Sequence, residues 1–399
     1  MKLLFLTIIN IKSLEERSIY TDLLRKFRDE GHEVFVVSPI ERRYHEKTQI
    51  IKEGSATLLQ IKSLNFQKTN LIEKGIGTLI IEYQYLFAIK KYFSKQQFDL
   101  ILYSTPPITF SKVIKYIKIR DNAYSYLLLK DIFPQNAVDM GFMKKHGILH
   151  RFFVKKEHQL YSISDTIGCM SKANKNYILQ HNTFLCSSKV EVNPNTIEPH
   201  VVFTTIEERL AIREKYFLPT DAVVFVYGGN LGAPQGLDFL LKTIEECREP
   251  KAYFIVVGAG TEFKKMQKWF DEEKPANARL LSALPRNEFN TLLKACDVGM
   301  IFLNPKFTIP NFPSRLLSYL EFELPVIAAT DKNTDVGKVI EQAGCGFGLL
   351  SGNLDEIQKT ISKIVNNRKL LEDMRVKSRH LLESEFTVDR SYHLISEKI

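Results

Sequence analysis

Two kinds of hydrophobic pattern alternate along the chain. Short apolar runs, such as AVVFVY at 222–227, are typical of strands buried on both faces of a sheet. Amphipathic stretches with helical spacing lie between them, as in SLEERSIYTDLLRKFRDE at 13–30, where Ser13 and Glu16 have the spacing of a capping box. Because strands and helices alternate in both halves, the pattern predicts parallel sheets joined by right-handed crossovers.

The length of 399 residues is typical of two domains, and the pattern breaks at Asn193–His200, where two prolines occur. We expect an N-terminal domain over 1–198 and a C-terminal domain over 199–385. A terminal segment over 386–399 follows, with a return to the N-terminal domain as one option. The predicted fold class is α/β, with two Rossmann-like domains and parallel sheets that face each other across a cleft. Ligands bind beyond the carboxyl ends of strands in such sheets.

The most informative segment is GGNLGAPQG at 228–236, which joins the apolar strand to an amphipathic helix and has four glycines in nine positions. Glycine lets the backbone approach a ligand closely, and the free N–H groups of a first helical turn favour a phosphate. The alternative is a tight turn without a ligand, because a glycine cluster alone is a weak signal. The predicted phosphate-binding residues are Gly228, Gly229, Asn230, Gly232, Gln235 and Gly236.

Positive charge is concentrated in the first half of the chain. Residues 1–199 contain 29 Lys and Arg against 19 Asp and Glu, whereas the remainder contains 26 against 27. The first half is therefore expected to face an anionic partner, either nucleic acid or a membrane surface. No nucleic-acid recognition motif is present. Three segments that mix aromatic and basic residues, at 80–95, 111–120 and 149–158, favour an anionic membrane surface. The alternative is that these are core helices with solvated lysines.

The remaining composition predicts a cytoplasmic protein at the inner face of the plasma membrane. No apolar run approaches the roughly 18 residues that span a bilayer, and MKLLFLTIIN leads directly into a strand. The five cysteines have no CxxC spacing, which is typical of reduced thiols. There is no D-x-D motif, and we predict neither a metal site nor a cofactor.

The glycine segment, KDIFPQNAVDMG at 130–141 and NFPSRLLSYLEFELPVIA at 311–328 together resemble the family 4 glycosyltransferases of the GT-B fold. The resemblance implies a retaining, metal-independent transfer from a UDP-sugar to a polyprenyl-diphosphate-linked saccharide in bacterial capsule or O-antigen synthesis. The sequence is similar to a subgroup of this family that includes N-acetyl-fucosamine transferases. This similarity implies that the donor carries an N-acetylated amino sugar.

The sequence departs from this family at several site positions. Neutral Asn230 and Gln235 stand where many members have a basic pair, and the E-x7-E positions hold Pro310 and Ser318. Glu323 replaces a glycine. The contact to the ribose hydroxyls is therefore expected from Ser318 or from elsewhere.

Other residues must then supply positive charge to a diphosphate. Arg315 takes the place of the family's lysine, beside Ser314 at a predicted helix start, where the helix dipole also favours an anion. Lys306 and Arg286 follow strands, although each is equally well explained as a solvated surface charge. The resemblance implies that Leu284 and Arg286 present backbone groups to a uracil ring.

Asp131 is the candidate catalytic carboxylate, because it ends the apolar strand YSYLLLK and could deprotonate or orient an acceptor hydroxyl. The alternative is a turn or N-cap residue before Pro134. Glu157 resembles a family glutamate for which a structural role is equally expected. Stabilisation of the departing diphosphate is expected to be the largest catalytic contribution, with Arg315 and Lys306 as its carriers.

Two other functions are compatible with these patterns. A UDP-sugar 2-epimerase shares the two-domain architecture and needs no lipid. A GT-B subunit that binds a partner without turnover would explain the missing glutamate pair.

Overall fold

The computed structural model describes residues 1–65 and 71–399. It divides into two compact units, one made of Met1–Glu198 and Thr387–Ile399 and the other of Pro199–Phe386. Each unit is a mainly parallel sheet with helices packed on it. Among the described residues, no helix is both long and apolar enough to cross a membrane.

The first unit contains an eight-stranded sheet with the order β3-β4-β2-β1-β5-β6-β7-β8, in which only the β3–β4 pair is antiparallel. Its strands are β1 (Lys2–Leu6), β2 (Glu33–Glu41), β3 (Gln49–Glu53), β4 (Ala56–Ser63), β5 (Leu100–Ser104), β6 (Tyr124–Leu129), β7 (Thr166–Cys169) and β8 (Val190–Val192). The helices of this part of the chain are α1 (Ile19–Asp29), α2 (Leu71–Tyr92), α3 (Ser111–Asp121), α4 (Gln135–Asp139), α5 (Ile148–Ile163) and α6 (Lys172–His181).

The first helix begins later than the sequence pattern predicts. Ser18, not Ser13, is its N-cap, and the Ser18 hydroxyl accepts the backbone N–H of Thr21. Leu14 is fully buried, and its backbone N–H donates to the Glu53 carboxylate at 3.0 Å. These tertiary contacts hold the segment before Ser18 outside the helix.

The second unit contains a six-stranded, all-parallel sheet with the order β11-β10-β9-β12-β13-β14. Its strands are β9 (Val223–Asn230), β10 (Ala252–Ala259), β11 (Ala278–Ser282), β12 (Val298–Phe302), β13 (Val326–Thr330) and β14 (Gly346–Leu350). Its helices are α7 (Ile206–Lys215), α8 (Leu237–Glu245), α9 (Phe263–Glu273), α10 (Arg286–Leu293), α11 (Arg315–Glu321), α12 (Val336–Gln342), α13 (Leu354–Val365) and α14 (Arg368–Glu385).

The strand order of the second unit reverses between β9 and β12. From β9 the chain builds outward through β10 to β11, and from β12 it builds in the opposite direction. The carboxyl ends of strands at such a switch point leave a crevice where ligands bind in open α/β sheets. The glycine segment, which begins within the last residues of β9, therefore lies at the expected ligand-binding position of this unit.

The last helix, α15 (Val388–Ser396), belongs to the first unit and packs on α1. The Tyr392 ring lies edge-on to Phe27 with centroids 4.9 Å apart, and its hydroxyl is 3.1 Å from His32 Nε2. Lys26 also forms an ion pair with Asp389 at 2.7 Å. These contacts join the end of the chain to the beginning of the first unit.

A buried carboxylate fastens α7 to the sheet of the second unit. Asp297, just before β12, pairs with Arg209 and with Arg213, each at 2.6 Å, and accepts the backbone N–H of Val224 at 2.9 Å. The Arg213 side chain is only 4% exposed, so it depends on this partner for charge compensation.

We predict that Asp297→Ala lowers the stability of the protein by about 3–5 kcal/mol, because it leaves the Arg213 charge buried and unpaired. Urea unfolding monitored by circular dichroism measures this change. Asp355→Ala, at an exposed position of α13, is the matched control. If the two variants unfold at the same urea concentration, the Asp297 network does not stabilise the unit.

Candidate functional site

The glycine segment of the second unit forms a tight backbone path from β9 to α8. Gly229 has φ +121° and Gly236 has φ +59°, and a short 3₁₀ turn at Ala233–Gln235 lies between them. A Cβ atom at Gly236 would also lie 2.7 Å from the Leu303 carbonyl oxygen. Both the backbone conformation and the available space therefore require glycine at Gly236.

Two glycines at the end of β10 support this path, and our sequence analysis missed them. A Cβ atom at Gly258 would overlap the carbonyl oxygen of Gly229, and one at Gly260 would overlap that of Leu231. The Leu231 N–H donates to the Ala259 carbonyl at 2.9 Å, which holds the two segments together. The signal in the sequence is VVGAG, a second apolar strand that ends in glycines.

Gly228 has a packing role in this structure. Its N–H donates to the Tyr319 hydroxyl at 3.0 Å, and a Cβ atom there would overlap the Phe289 ring. The Gly228 N–H is therefore already hydrogen-bonded within the protein, whereas Gly229 and Asn230 are exposed. Gly232 is buried, and its carbonyl accepts the Gln235 N–H at 2.9 Å.

The fold brings Arg315 to the glycine segment. Arg315 Nη2 donates to Gln235 Oε1 at 2.7 Å, and the guanidinium carbon lies 4.4 Å from the centroid of the Tyr227 ring. A Cβ atom at Gly229 would be 3.6 Å from Nη2. Arg315 Nη1 is buried, and no described residue offers it a hydrogen-bond acceptor in good geometry. A buried donor without an acceptor is costly, so this atom is suited to an anionic ligand.

The backbone around Lys306 lies beside the same 3₁₀ turn. Asn304 donates through Nδ2 to the Ala233 carbonyl at 3.1 Å and through its N–H to the Pro234 carbonyl at 3.0 Å. The Lys306 N–H then donates to Asn304 Oδ1 at 3.0 Å, and the Lys306 side chain is exposed. The structure therefore brings the Lys306 backbone near the glycine segment.

An aspartate-centred turn after β13 supports the loop that leads to Arg315. The buried Asp331 carboxylate accepts the N–H groups of Asn333 and Thr334 and the Thr334 hydroxyl, at 2.8–3.0 Å. Asn333 Nδ2 donates to the Phe307 carbonyl at 2.8 Å, and the Asn311 N–H donates to the Thr334 hydroxyl at 3.0 Å. Our sequence analysis did not identify this support.

The other predicted donor-site residues lie on neighbouring elements. Ser314 is exposed and precedes α11, and Ser318 is half-buried within that helix. Arg286 is exposed at the start of α10, two residues after a half-buried Leu284. Phe289, one turn further along α10, contacts Gly228, so the beginning of α10 lies near the end of β9.

The first unit holds Asp131 just after β6. Both carboxylate oxygens accept from Asn136 Nδ2 at 2.7 Å, and the Asp131 N–H donates to the Thr105 hydroxyl at 3.1 Å. Burial raises the pKa of Asp131 from 3.8 to about 6, against the opposing effect of the Asn136 hydrogen bond. No side chain caps α4. Asp131 therefore does not cap α4, but its bonds to Asn136 across Pro134 are those of the turn residue that the sequence offered as the alternative. Its pKa of about 6 also suits a general base near neutral pH.

Burial moves the pKa values of two further groups of the first unit close to neutrality, Glu157 in α5 and Lys130 directly after β6. Burial raises the pKa of Glu157 from 4.5 to about 7, and its carboxylate accepts from the Tyr161 hydroxyl at 3.0 Å. Burial lowers the pKa of Lys130 to about 7, and its amine lies 3.4 Å from the Pro194 carbonyl oxygen. Burial raises the pKa of Tyr161, and the charges of Glu157 and Asp131 add to this effect. Lys130 was not among the residues that our sequence analysis selected.

Comparison with known proteins shows similarity to glycosyltransferases. Residues 208–381 match the family of glycosyl transferases group 1. The chain is 24% identical over 290 residues to the probable glycosyltransferase WbjE of Pseudomonas aeruginosa, covering 70% of this chain and 69% of that protein. It is 22% identical to the UDP-N-acetylglucosamine--N-acetylmuramyl-(pentapeptide) pyrophosphoryl-undecaprenol N-acetylglucosamine transferase of Fusobacterium nucleatum, over 69% of this chain and 77% of that protein.

The fold is shared with solved structures of other proteins. HepE of Anabaena, crystallised in complex with UDP, aligns with a TM-score of 0.71 and 16% identity over 100% of this chain and 99% of its own. This likeness confirms the predicted fold class of two Rossmann-like α/β domains of the GT-B type. The finer resemblance to N-acetyl-fucosamine transferases remains a prediction.

We predict that Asp131→Asn reduces the pH dependence of stability. The folded pKa of about 6 lies above the ordinary 3.8, so the folded state binds more protons between these values. Stability therefore falls as pH rises through this window. Melting temperatures measured from about pH 4 to pH 6.5 should fall less steeply in Asp131→Asn than in the wild type. Glu16→Gln, at an exposed position, is the control. Identical pH profiles for all three proteins would show that Asp131 titrates normally.

Proposed function

We propose that this protein is a retaining glycosyltransferase that moves a sugar from a UDP-sugar to a polyprenyl-diphosphate-linked saccharide in the synthesis of a bacterial surface polysaccharide. The observation that carries the proposal is the Arg315 guanidinium beside the exposed backbone of Gly229, with a buried nitrogen that lacks an acceptor. This is the arrangement that a diphosphate needs, because the guanidinium donates in a fixed geometry and cannot lose its charge.

The comparisons support a nucleotide-sugar donor. HepE was solved with UDP and with UDP-glucose, and the Fusobacterium relative is named for a UDP-N-acetylglucosamine donor and an undecaprenol-linked acceptor. By analogy we propose that the uracil ring contacts the backbone at Leu284 and Arg286 and that Ser318 contacts the ribose. An N-acetylated amino sugar is the proposed transferred group.

The proposed chemistry centres on the departing diphosphate. As the glycosidic bond to the diphosphate breaks, negative charge grows on its oxygens. Arg315, Lys306 and the N-terminus of α8 would stabilise that charge without a metal ion. Asp131, whose pKa of about 6 leaves it mostly ionised at neutral pH, would accept the proton of the acceptor hydroxyl. The acceptor hydroxyl would attack the anomeric carbon of the sugar from the same face that the diphosphate leaves. The anomeric configuration is then retained.

The proposed setting is the inner face of the plasma membrane, where a lipid-linked acceptor is available. The excess of Lys and Arg in residues 1–199 supports contact with an anionic lipid surface. We propose peripheral association through the first unit, with the donor bound by the second.

A donor screen with a synthetic polyprenyl-diphosphate acceptor tests the proposed function. The panel contains UDP-N-acetyl-fucosamine, UDP-N-acetylglucosamine and UDP-glucose, each with and without acceptor and with and without EDTA. We expect transfer that needs the acceptor and persists in EDTA. An epimerised sugar without acceptor would identify a 2-epimerase instead. Failure of the folded protein to bind any UDP-sugar would favour a subunit without turnover.

We predict that Arg315→Ala lowers kcat by roughly 10²–10³-fold, as is typical when one group that stabilises transition-state charge is removed. Arg248→Ala is the matched control, because the Arg248 side chain is 81% exposed and outside the site. Initial rates at saturating donor measure the effect, and circular dichroism checks the fold. Wild-type kcat in Arg315→Ala would remove this residue from the chemistry.

A further inference from the structure

A groove runs between α3 and α5 on the surface of the first unit. This open groove has a volume of about 930 Å³. Its lining on α5 recurs at residues 150, 151, 154, 155, 158, 159 and 162, which is the spacing of one helix face. The facing residues of α3 are Ser111, Lys112 and Lys115. The groove is not part of the glycine segment or of the Asp131 environment described above.

The lining of this groove is cationic. It contains Lys112, Lys115, Arg151 and Lys155 together with three histidines, and it contains no carboxylate. The Lys112 amine is hydrogen-bonded to the Tyr83 hydroxyl. Within 1–65 and 71–399, no Asp or Glu forms an ion pair with Lys115, Arg151 or Lys155. Their charges are therefore available to an anion from outside the protein.

Positive charges near the groove also act on His150, which is one of its lining residues. Burial lowers the pKa of His150 on the groove floor, and the charges of His146 and Lys145 lower it further. His146 and His150 both line the groove, and their ring centroids lie 5.7 Å apart. A bound phosphate would be stabilised by the charges that make a proton on His150 unfavourable.

Large apolar side chains project beside the cationic groove at the start of α5. Ile148 is 90% exposed, Leu149 is 64% exposed, and Phe142 in the preceding segment is 76% exposed. Ile148 and Leu149 directly precede His150 and Arg151, which line the groove. Adjacent basic and exposed apolar groups are the combination that binds a lipid interface, because the basic groups attract anionic headgroups while the apolar groups enter the acyl boundary.

We propose that the α3–α5 groove binds the phosphate groups of anionic phospholipids, with Phe142, Ile148 and Leu149 inserted at the headgroup level. This proposal rests on the proposed function, in which the protein acts at a membrane. It adds which surface of the protein contacts the lipid. A phospholipid surface fits better than a free phosphate ion, because the groove is open and its apolar neighbours have nothing to pack on without a bilayer.

The structure favours this groove over the basic end of α2. The Lys90 amine lies 4.7 Å from the centroid of the Tyr116 ring, and the Lys91 amine lies 5.1 Å from that of Tyr92. Both charges therefore already interact with aromatic faces of the protein. Lys115, Arg151 and Lys155 have no comparable partner among the described residues.

Vesicle flotation of the full chain tests the proposal. The probes are phosphatidylcholine vesicles with and without 30% phosphatidylglycerol. We expect the triple variant Lys115→Gln, Arg151→Gln and Lys155→Gln to bind anionic vesicles on the order of 100-fold more weakly than the wild type. The control triple variant, Lys47→Gln, Lys52→Gln and Lys62→Gln, removes the same charge from exposed positions at the β3–β4 edge and should bind like the wild type. Equal losses in both triple variants would show a non-specific charge effect and overturn the proposal.

A second variant keeps the charge and removes the apolar contact. Ile148→Ser with Leu149→Ser should weaken vesicle binding about tenfold or more, whereas Val376→Ser, also at an exposed position, should not. Soluble pyrophosphate should displace the wild type from vesicles only at high concentration. Tight pyrophosphate binding without vesicle binding would assign the groove to a soluble phosphate and overturn the lipid assignment.

The two proposals fail in different ways. Vesicle binding needs no donor, acceptor or turnover, so loss of binding in the groove variants supports the lipid surface even if the donor screen finds no transfer. Conversely, the wild type could transfer sugar while the groove variants float like the wild type. That result would support the proposed function and overturn the proposal that the groove binds lipid.

Discussion

Close backbone packing at the carboxyl end of β9 is the constraint on which the second unit depends. The Gly229 and Leu231 carbonyls lie where side chains of Gly258 and Gly260 would otherwise be, and Gly236 sits against the Leu303 carbonyl. No Cβ fits at these positions, so three segments that are distant in sequence meet through their backbones. This packing leaves Gly229 and Asn230 exposed at the switch point of the sheet.

The chemistry of the site follows from what is brought to that backbone. The sequence has a neutral glycine segment, and the fold supplies charge from Arg315, which is held by Gln235 and by the Tyr227 ring. The Asp331 turn fixes the loop that leads to it. A guanidinium with one nitrogen paired and another buried without an acceptor is arranged for a ligand, since a surface arginine would hydrate both.

The first unit contains both buried ionisable groups and exposed positive charge. Lys130 and Asp131 after β6 and Glu157 in α5 lie in surroundings that disfavour charge, and burial moves the pKa values of all three towards neutrality. Its outer helices α3 and α5 instead expose unpaired positive charge. One unit thus combines groups suited to proton transfer with a surface suited to anions. Exclusion of water shifts the pKa values of the buried groups, whereas contact with water lets the surface groups stay charged.

Sequence alone was sufficient for the α/β class and for the strand–glycine–helix segment at 222–245, because these depend on local pattern and on motif spacing. It also selected Arg315 and Asp131 as candidates, whose roles stay predictions. It gave the wrong start for α1, since burial of Leu14 and its bond to Glu53 are long-range contacts. Tertiary structure alone decided that Gly228 packs against Phe289, that Gly258 and Gly260 support the loop, and that the half-buried Lys130 amine lies beside the Pro194 carbonyl. Each of these depends on which distant segment lies within a few ångströms, and hydrophobic periodicity does not encode that distance.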